Sequence, residues 1–280
     1  RWLLGLMLAG IACLGACSFL LPERYAVNGP MLQMMFGRSA EAPKQGLVEE
    51  RLRVPEGYQI DFYAGDLADA RMLRFTPQGD LLVSQPRSGE IVLLKRDADG
   101  DGHPDGRKTL VTGLQGPHGI DLHGPWLYIG ESDAIARIRF DPVTQTTEGE
   151  VERIVTGLPG DGNHWKKSLR FGPDGWLYVS VGSSCNVCVE EDERRATLLR
   201  FRPDGSDPEI YATGLRNTVG FDWHPVTGQL YGTDNGRDLL GNDFPPCELN
   251  AIDRGKSYGW PFANGDRIPD PDFGPGHEAE

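Results

Sequence analysis

The 280 residues suffice for a large core in one all-β domain, and 37 glycines and 21 prolines, free of any collagen-like period, suit many turns between short strands. Aromatic and β-branched residues are too plentiful for a disordered chain. A formal net charge of −13 argues against a nucleic-acid partner, because phosphate binding needs a basic face; it does not say which small molecule is bound.

From Trp2 to Leu21 the chain is almost wholly apolar and polar sequence follows, the pattern of an export segment. Leu14-Gly15-Ala16-Cys17 resembles a bacterial lipobox. In that reading Cys17 becomes the lipidated first residue of the mature protein, and Ser18 suits outer-membrane sorting. An uncleaved signal anchor and an ordinary cleaved signal peptide are the alternatives, since the run is long enough to span a bilayer. All three place the domain outside the cytoplasm, and the first two tether it to the membrane on the periplasmic side. We expect a targeting segment over 1–24, a linker over 25–50, a β domain over 51–265 and a tail over 266–280. Arg1 in place of an initiator Met, and the polar end of the chain, lead us to expect a piece of a longer protein.

Beyond the linker one unit recurs: an apolar strand, a turn rich in Pro, Asp or Gly, a second apolar strand, a short polar gap and a third strand. The first copy runs Met72–Phe75, Leu81–Ser84 and Glu90–Leu94; the second His118–Leu122, Trp126–Gly130 and Ala136–Phe140. The third spans Ser168–Phe201 and the fourth Val219–Ile252. Starts fall about 45 to 50 residues apart, the period of a propeller blade, and no long 3.6-residue period competes. The expected fold is therefore all-β, a β-propeller with about four blades in this chain and six in the intact protein. Radial closure removes exposed sheet edges, so a ring of four blades out of six would be incomplete.

Between the first two copies lies Asp97-Ala98-Asp99-Gly100-Asp101-Gly102-His103-Pro104-Asp105. Carboxylates at positions 1, 3, 5 and 9 with Gly at 6 reproduce most of an EF-hand loop. Position 12 is Lys108, so the bidentate Glu is missing, and no flanking helices are evident. Asp97, Asp99, Asp101 and Asp105 are candidate ligands of a structural calcium ion; the alternative is a solvated acidic turn.

Cys185-Asn186-Val187-Cys188 is a CxxC without the following His that covalent haem attachment needs, and without the second CxxC of a zinc site. Outside the cytoplasm it reads as a loop disulfide, either within the pair or from one member to Cys247.

Further motifs stand at the edges of the repeats: Asn163-His164, Arg170-Phe171-Gly172-Pro173-Asp174-Gly175, Gly214-Leu215-Arg216-Asn217, Asp234-Asn235-Gly236-Arg237, and Glu248-Leu249-Asn250 followed by Tyr258-Gly259-Trp260-Pro261. As an ordered set over about Leu52–Pro261 they resemble the glucose/sorbosone dehydrogenase family, soluble quinoprotein propellers that use pyrroloquinoline quinone (PQQ) and calcium. Gly182-Ser183-Ser184-Cys185-Asn186-Val187-Cys188 points to the sorbosone-dehydrogenase-like branch.

The resemblance implies oxidation of a sugar or sugar aldehyde, with electrons passed on to a cytochrome or quinone. His164 matches the family's base, a role that a neutral imidazole fills well near neutral pH. Arg216 matches the residue that stabilises charge on the quinone without titrating. Asn217 and Asn235 match cofactor contacts. A turn equivalent to Gly236-Arg237 offers two backbone carbonyls to the calcium that grips PQQ. Arg237 stands where glucose-oxidising relatives have Pro, and its cation is a departure from the pattern. Asn163 precedes the base where those relatives have an acid, though Asp161 is close. His118, opening the second blade's inner strand, is a further candidate contact in the central channel. The basic groups that hold PQQ carboxylates in the family come from later blades.

Two other classes compete. Propellers of this kind also serve as non-catalytic binding modules, since fold does not settle function. A calcium-dependent lactonase-type hydrolase would need a carboxylate cage for a catalytic metal, and the sequence offers no convincing Glu/Asn/Asp set.

Overall fold

The computed structural model describes residues 52–65, 67–241 and 243–277; the targeting segment, its Cys17 and the linker lie outside them. The described residues form strands and turns with no helix. Three four-stranded antiparallel sheets follow in order: β1 (Leu73–Phe75), β2 (Leu81–Gln85), β3 (Glu90–Leu94), β4 (Arg107–Val111); β5 (Ile120–His123), β6 (Trp126–Gly130), β7 (Ala134–Asp141), β8 (Thr146–Thr156); β9 (Leu169–Phe171), β10 (Leu177–Val181), β11 (Thr197–Phe201), β12 (Glu209–Ala212). A fourth sheet has β13 (Thr218–Trp223), β14 (Leu230–Asp234) and β15 (Glu248–Ile252), and a short hairpin, β16 (Ala263–Asn264) with β17 (Ile268–Pro269), follows. This is the four-blade propeller arrangement expected from the repeats.

Side chains alternate across a strand, so each blade can bury both faces. Leu82, Ile91 and Leu93 of the first blade pack with Leu127, Ile129 and Ile138 of the second. On the second blade's other face, Tyr128 and Ile135 meet Leu177, Val179 and Val181 of the third. Tyr178 and Leu198 then meet Phe221, Leu230 and Ile252 of the fourth. In the near-continuous run Leu81-Leu82-Val83, Leu82 faces the second blade while Leu81 and Val83 pack under Tyr63, Ala64 and Leu67. The two end faces carry apolar groups in the open: Leu73 and Phe75 on β1, Tyr231 and Leu249 on the fourth blade.

The outer strands β4, β8 and β12 are absent from the three-strand unit expected from sequence. They edge the ring and carry mostly polar, half-exposed residues, Thr146-Thr147-Glu148-Gly149-Glu150 for example, so the apolar signal fails there. A different signal marks where they end. Thr112-Gly113-Leu114, Thr156-Gly157-Leu158 and Thr213-Gly214-Leu215 follow the three outer strands, each with its Gly at φ near +70° and its Leu buried. Each Thr-Gly-Leu turn starts the crossing to the next blade's inner strand. His118, His164 and Arg216 all lie just beyond one. Strands alternate in direction, so these crossings share one face of the ring with the β10–β11 and β14–β15 loops. The β3–β4 loop, with Asp97 to Asp105, lies on the opposite face.

Candidate active site

His164 lies in the crossing between β8 and β9. Its Nδ1 is 2.8 Å from Ser183 Oγ and 3.0 Å from the Ser183 carbonyl. The Ser183 hydroxyl donates its one proton to the Cys185 carbonyl at 2.8 Å. Ser183 can therefore only accept from the ring, which places the proton on Nδ1 and leaves a lone pair on Nε2. Burial and the neighbouring Arg216 hold the His164 pKa below the ordinary histidine value. Gly182 permits this approach: a Cβ there would lie 2.5 Å from His164 Cβ and 3.3 Å from Asn217 Oδ1. Asp161, close in sequence, is drawn to the buried Arg195 instead.

The Arg216 guanidinium is 3 % exposed and has an acceptor for each of its five N–H groups. Nε donates to Asn186 O at 2.9 Å; Nη1 to Asn235 O at 3.1 Å and Gly236 O at 2.9 Å; Nη2 to Asn186 Oδ1 at 2.8 Å and Asp238 Oδ2 at 3.3 Å. Next to it, the Asn217 backbone N–H donates to Asp234 Oδ1 at 2.5 Å, and Asn235 N–H to Asn217 O at 3.3 Å. Burial, with Glu248 opposite, pushes the Asp234 carboxyl up to about 7. Among the described residues no hydrogen bond engages the side-chain amides of Asn217 or Asn235, so both can meet a bound molecule.

At the Gly236-Arg237 turn the Arg237 side chain folds away from the rim. Its Nη1 donates to both carboxylate oxygens of buried Asp270 at 2.7 Å, and Nη2 to Asp272 at 3.0 Å. The extra cation is thus neutralised outside the turn. The Asn235 and Gly236 carbonyls converge on a positive charge, that of Arg216, and each carbonyl keeps a second lone pair. Gly236, one of the two carbonyls expected to bind calcium, thus keeps a hard-oxygen lone pair of the kind calcium takes, beside the guanidinium it already serves.

His118 is buried at 2 % exposure, with no hydrogen-bond partner on Nδ1. Burial, with Lys166 and Arg71 near, lowers its pKa to about 4. Beside it Lys167 is wholly buried, its Nζ donating to Pro159 O and Trp165 O, both at 2.7 Å. Burial brings Lys167 down to about 7.

On the opposite face, oxygens of Asp97, Asp99 and Asp105 come within 4.8 Å of one another, while Asp101 Oδ1 accepts from His103 N–H at 2.8 Å and stands outside that group. Asp97 alone accepts from the backbone N–H groups of Gly100, Asp101 and Gly102, and these bonds hold its carboxyl below the usual range. Cys185 and Cys188 form a disulfide, and Cys247 is free and exposed.

Ser183, Asn186, Asp234 and Lys167 belong to the site's construction and went unassigned in the sequence reading. Asn186 lies inside the CxxC and Ser183 two residues before it, which is a positional hint. Lys167 has no such hint, since a lysine reads as surface until its crossing is folded.

A family model described as TrAA12-like matches residues 52–250. An uncharacterised protein of Borreliella burgdorferi is 27 % identical over 232 residues, covering 78 % of this chain and 58 % of its own. The holo PQQ domain of pyranose dehydrogenase from Coprinopsis cinerea superposes with a TM-score of 0.66 at 22 % identity, over 79 % of this chain and 60 % of that one. The PQQ-bound aldose sugar dehydrogenase of Streptomyces coelicolor gives 0.57 at 27 % identity, over 73 % and 67 %. The chain thus spans about three fifths of the length of the first two. With the four blades and the matched span, this chain belongs to the TrAA12-like family of propellers, whose solved neighbours include PQQ-dependent sugar dehydrogenases.

Proposed function

We propose that this chain is the propeller of an exported, membrane-tethered dehydrogenase that oxidises a sugar or sugar aldehyde with PQQ and calcium. The observation that carries the reading is the forced tautomer of His164, a lone pair on Nε2 beside a guanidinium fixed by five acceptors. Its likeness to the PQQ-bound Streptomyces enzyme supports the choice of cofactor.

When bound, PQQ supplies acceptance of a hydride from the sugar carbon. His164 Nε2 takes the substrate O–H proton as that hydride leaves. Arg216, fixed beforehand with all five N–H groups already bonded, would stabilise the developing negative charge through its positive field. Asn217 and Asn235 offer amides to the cofactor edge, and the Gly236 and Arg237 carbonyls would hold calcium. Asp97, Asp99 and Asp105 would bind a second, structural calcium, with Asp101 turned to His103 instead. The exposed end faces at Leu73, Phe75, Tyr231 and Leu249 would close against about two further blades, which also bring the groups for PQQ carboxylates. Electrons would pass to a cytochrome or quinone.

The test is a dye-linked oxidation screen over aldoses and sugar aldehydes, using the full-length protein reconstituted with PQQ and calcium. We expect turnover that His164→Ala lowers by roughly 10²–10⁴-fold, the usual contribution of a general base. Folded protein that binds calcium yet takes up no PQQ and oxidises no sugar would sink the reading and leave a non-catalytic binding propeller.

A further inference from the structure

We propose that Asn186, held inside the Cys185–Cys188 disulfide ring, is a positioning residue that locks Arg216 and the Asn235–Asp238 turn into one unit. The inference deepens the reading of this rim as a dehydrogenase site and rests on it. Asn186 belongs to the β10–β11 loop of the third blade, whereas Arg216 enters the fourth blade and Asp238 follows β14.

Asn186 uses its backbone carbonyl and its whole side-chain amide across that boundary. The carbonyl accepts from Arg216 Nε at 2.9 Å. Oδ1 accepts from Arg216 Nη2 and from Asp238 N–H, both at 2.8 Å. Nδ2 donates to the Asp238 carbonyl at 3.0 Å. Two of the five acceptors of Arg216 are thus atoms of this one residue. The reciprocal pair with the Asp238 backbone also fixes the turn that presents the Gly236 carbonyl. Asp238's own carboxylate is a poor substitute, being 71 % exposed and 3.3 Å from Nη2, and such pairs are weak.

The ring reaches the base as well. Cys185 O accepts the Ser183 hydroxyl proton that sets the His164 tautomer, and Ser183 N–H donates to Arg216 O at 2.8 Å. A disulfide across three residues of sequence leaves Asn186 few backbone conformations, so its four hydrogen bonds cost little ordering when they form. The CxxC has a use here that needs no redox turnover.

The test is Asn186→Ala in the full-length protein. The charged groups facing His164 are Arg216, Asp238 and Arg195, and the repulsion from Arg216 outweighs the attraction of Asp238. Freeing the guanidinium should therefore raise the His164 titration midpoint by roughly half a unit or more, read by NMR at its ring Cε1–H without cofactor. With PQQ and calcium, kcat should fall roughly 10–100-fold with little change in KM, the usual effect of losing a supporting hydrogen-bond partner. Asn186→Asp, which keeps the acceptor for Arg216, should restore most of it. Should Asn186→Ala fail to fold, the Cys185→Ser/Cys188→Ser pair carries the same titration. An unchanged His164 midpoint in folded variant protein would overturn the proposal. That readout stands even if the wild-type protein oxidises no sugar, so the two readings fail separately.

Discussion

The Asp97–Asp105 loop and the rim around His164 and Arg216 both crowd charged and polar groups together, and they satisfy them in opposite ways. In the loop the carboxylates take their partners from near neighbours: Asp97 accepts from Gly100, Asp101 and Gly102, and Asp101 from His103, and only the His103 ring reaches out, to the Tyr63 carbonyl. On the rim, partners come from four segments far apart in the chain. Arg216 reaches back 30 residues to Asn186 and forward 19 and 20 to Asn235 and Gly236. The loop's carboxylate bonds need no second blade, whereas the rim exists only once blades three and four are packed. Exposure follows the same division, for the loop's carboxylates are mostly in solvent and Arg216, Lys167 and Asp234 are buried.

This contrast can be broken from several sides. The largest effect should come from Arg216→Lys, which keeps the charge and loses the planar fork. We expect kcat to drop roughly 10²–10³-fold in the reconstituted enzyme, measured by dye-linked turnover. An effect under threefold would mean that the five-point anchorage is incidental.

Two buried groups give the next test, through opposite pH slopes. Lys167 has a folded pKa depressed to about 7 from 10.5, so the stability it contributes is present above its unfolded value and is lost as pH falls toward 7. The Tm advantage of wild type over Lys167→Met should therefore widen by several degrees as pH rises from about 7 toward 10. Asp234 has a folded pKa raised to about 7 from 3.8, so its contribution is present below the unfolded value and is lost as pH rises through 7. Asp234→Asn should gain on wild type between pH 4 and pH 7. Parallel pH curves for either pair, followed by thermal melts, would show that the group is not buried as described. The smallest effect belongs to the acidic loop, where calcium should raise Tm by a few degrees at most and Asp97→Asn should abolish the rise.

The same contrast explains what the sequence made legible. Near-continuous apolar runs such as Leu81-Leu82-Val83 and Leu177-Tyr178-Val179 announce inner strands, because burial on both faces demands them. Outer strands give no such pattern, and the Thr-Gly-Leu triplets that follow them, though present in the sequence, take on a meaning only once the ring is known. His164 and Arg216 were found through resemblance, since a lone His or Arg-Asn pair has no local signature. Ser183 and Asn186 had only their place beside the CxxC, and Lys167 had no hint at all, because their roles are set by partners 19, 30 and 8 residues away. The CxxC pairing was one of two alternatives, and the structure joins Cys185 to Cys188 and leaves Cys247 free.

If the rim binds PQQ through calcium held on backbone carbonyls, as proposed, uptake of PQQ must require calcium. The most direct test is a spectrophotometric titration of PQQ into the full-length apoprotein, with calcium and again with a chelator. Saturable one-to-one binding that requires calcium, and weakens in Asn217→Ala, is the result the account predicts. Folded protein that takes up calcium and leaves PQQ free in solution would contradict it.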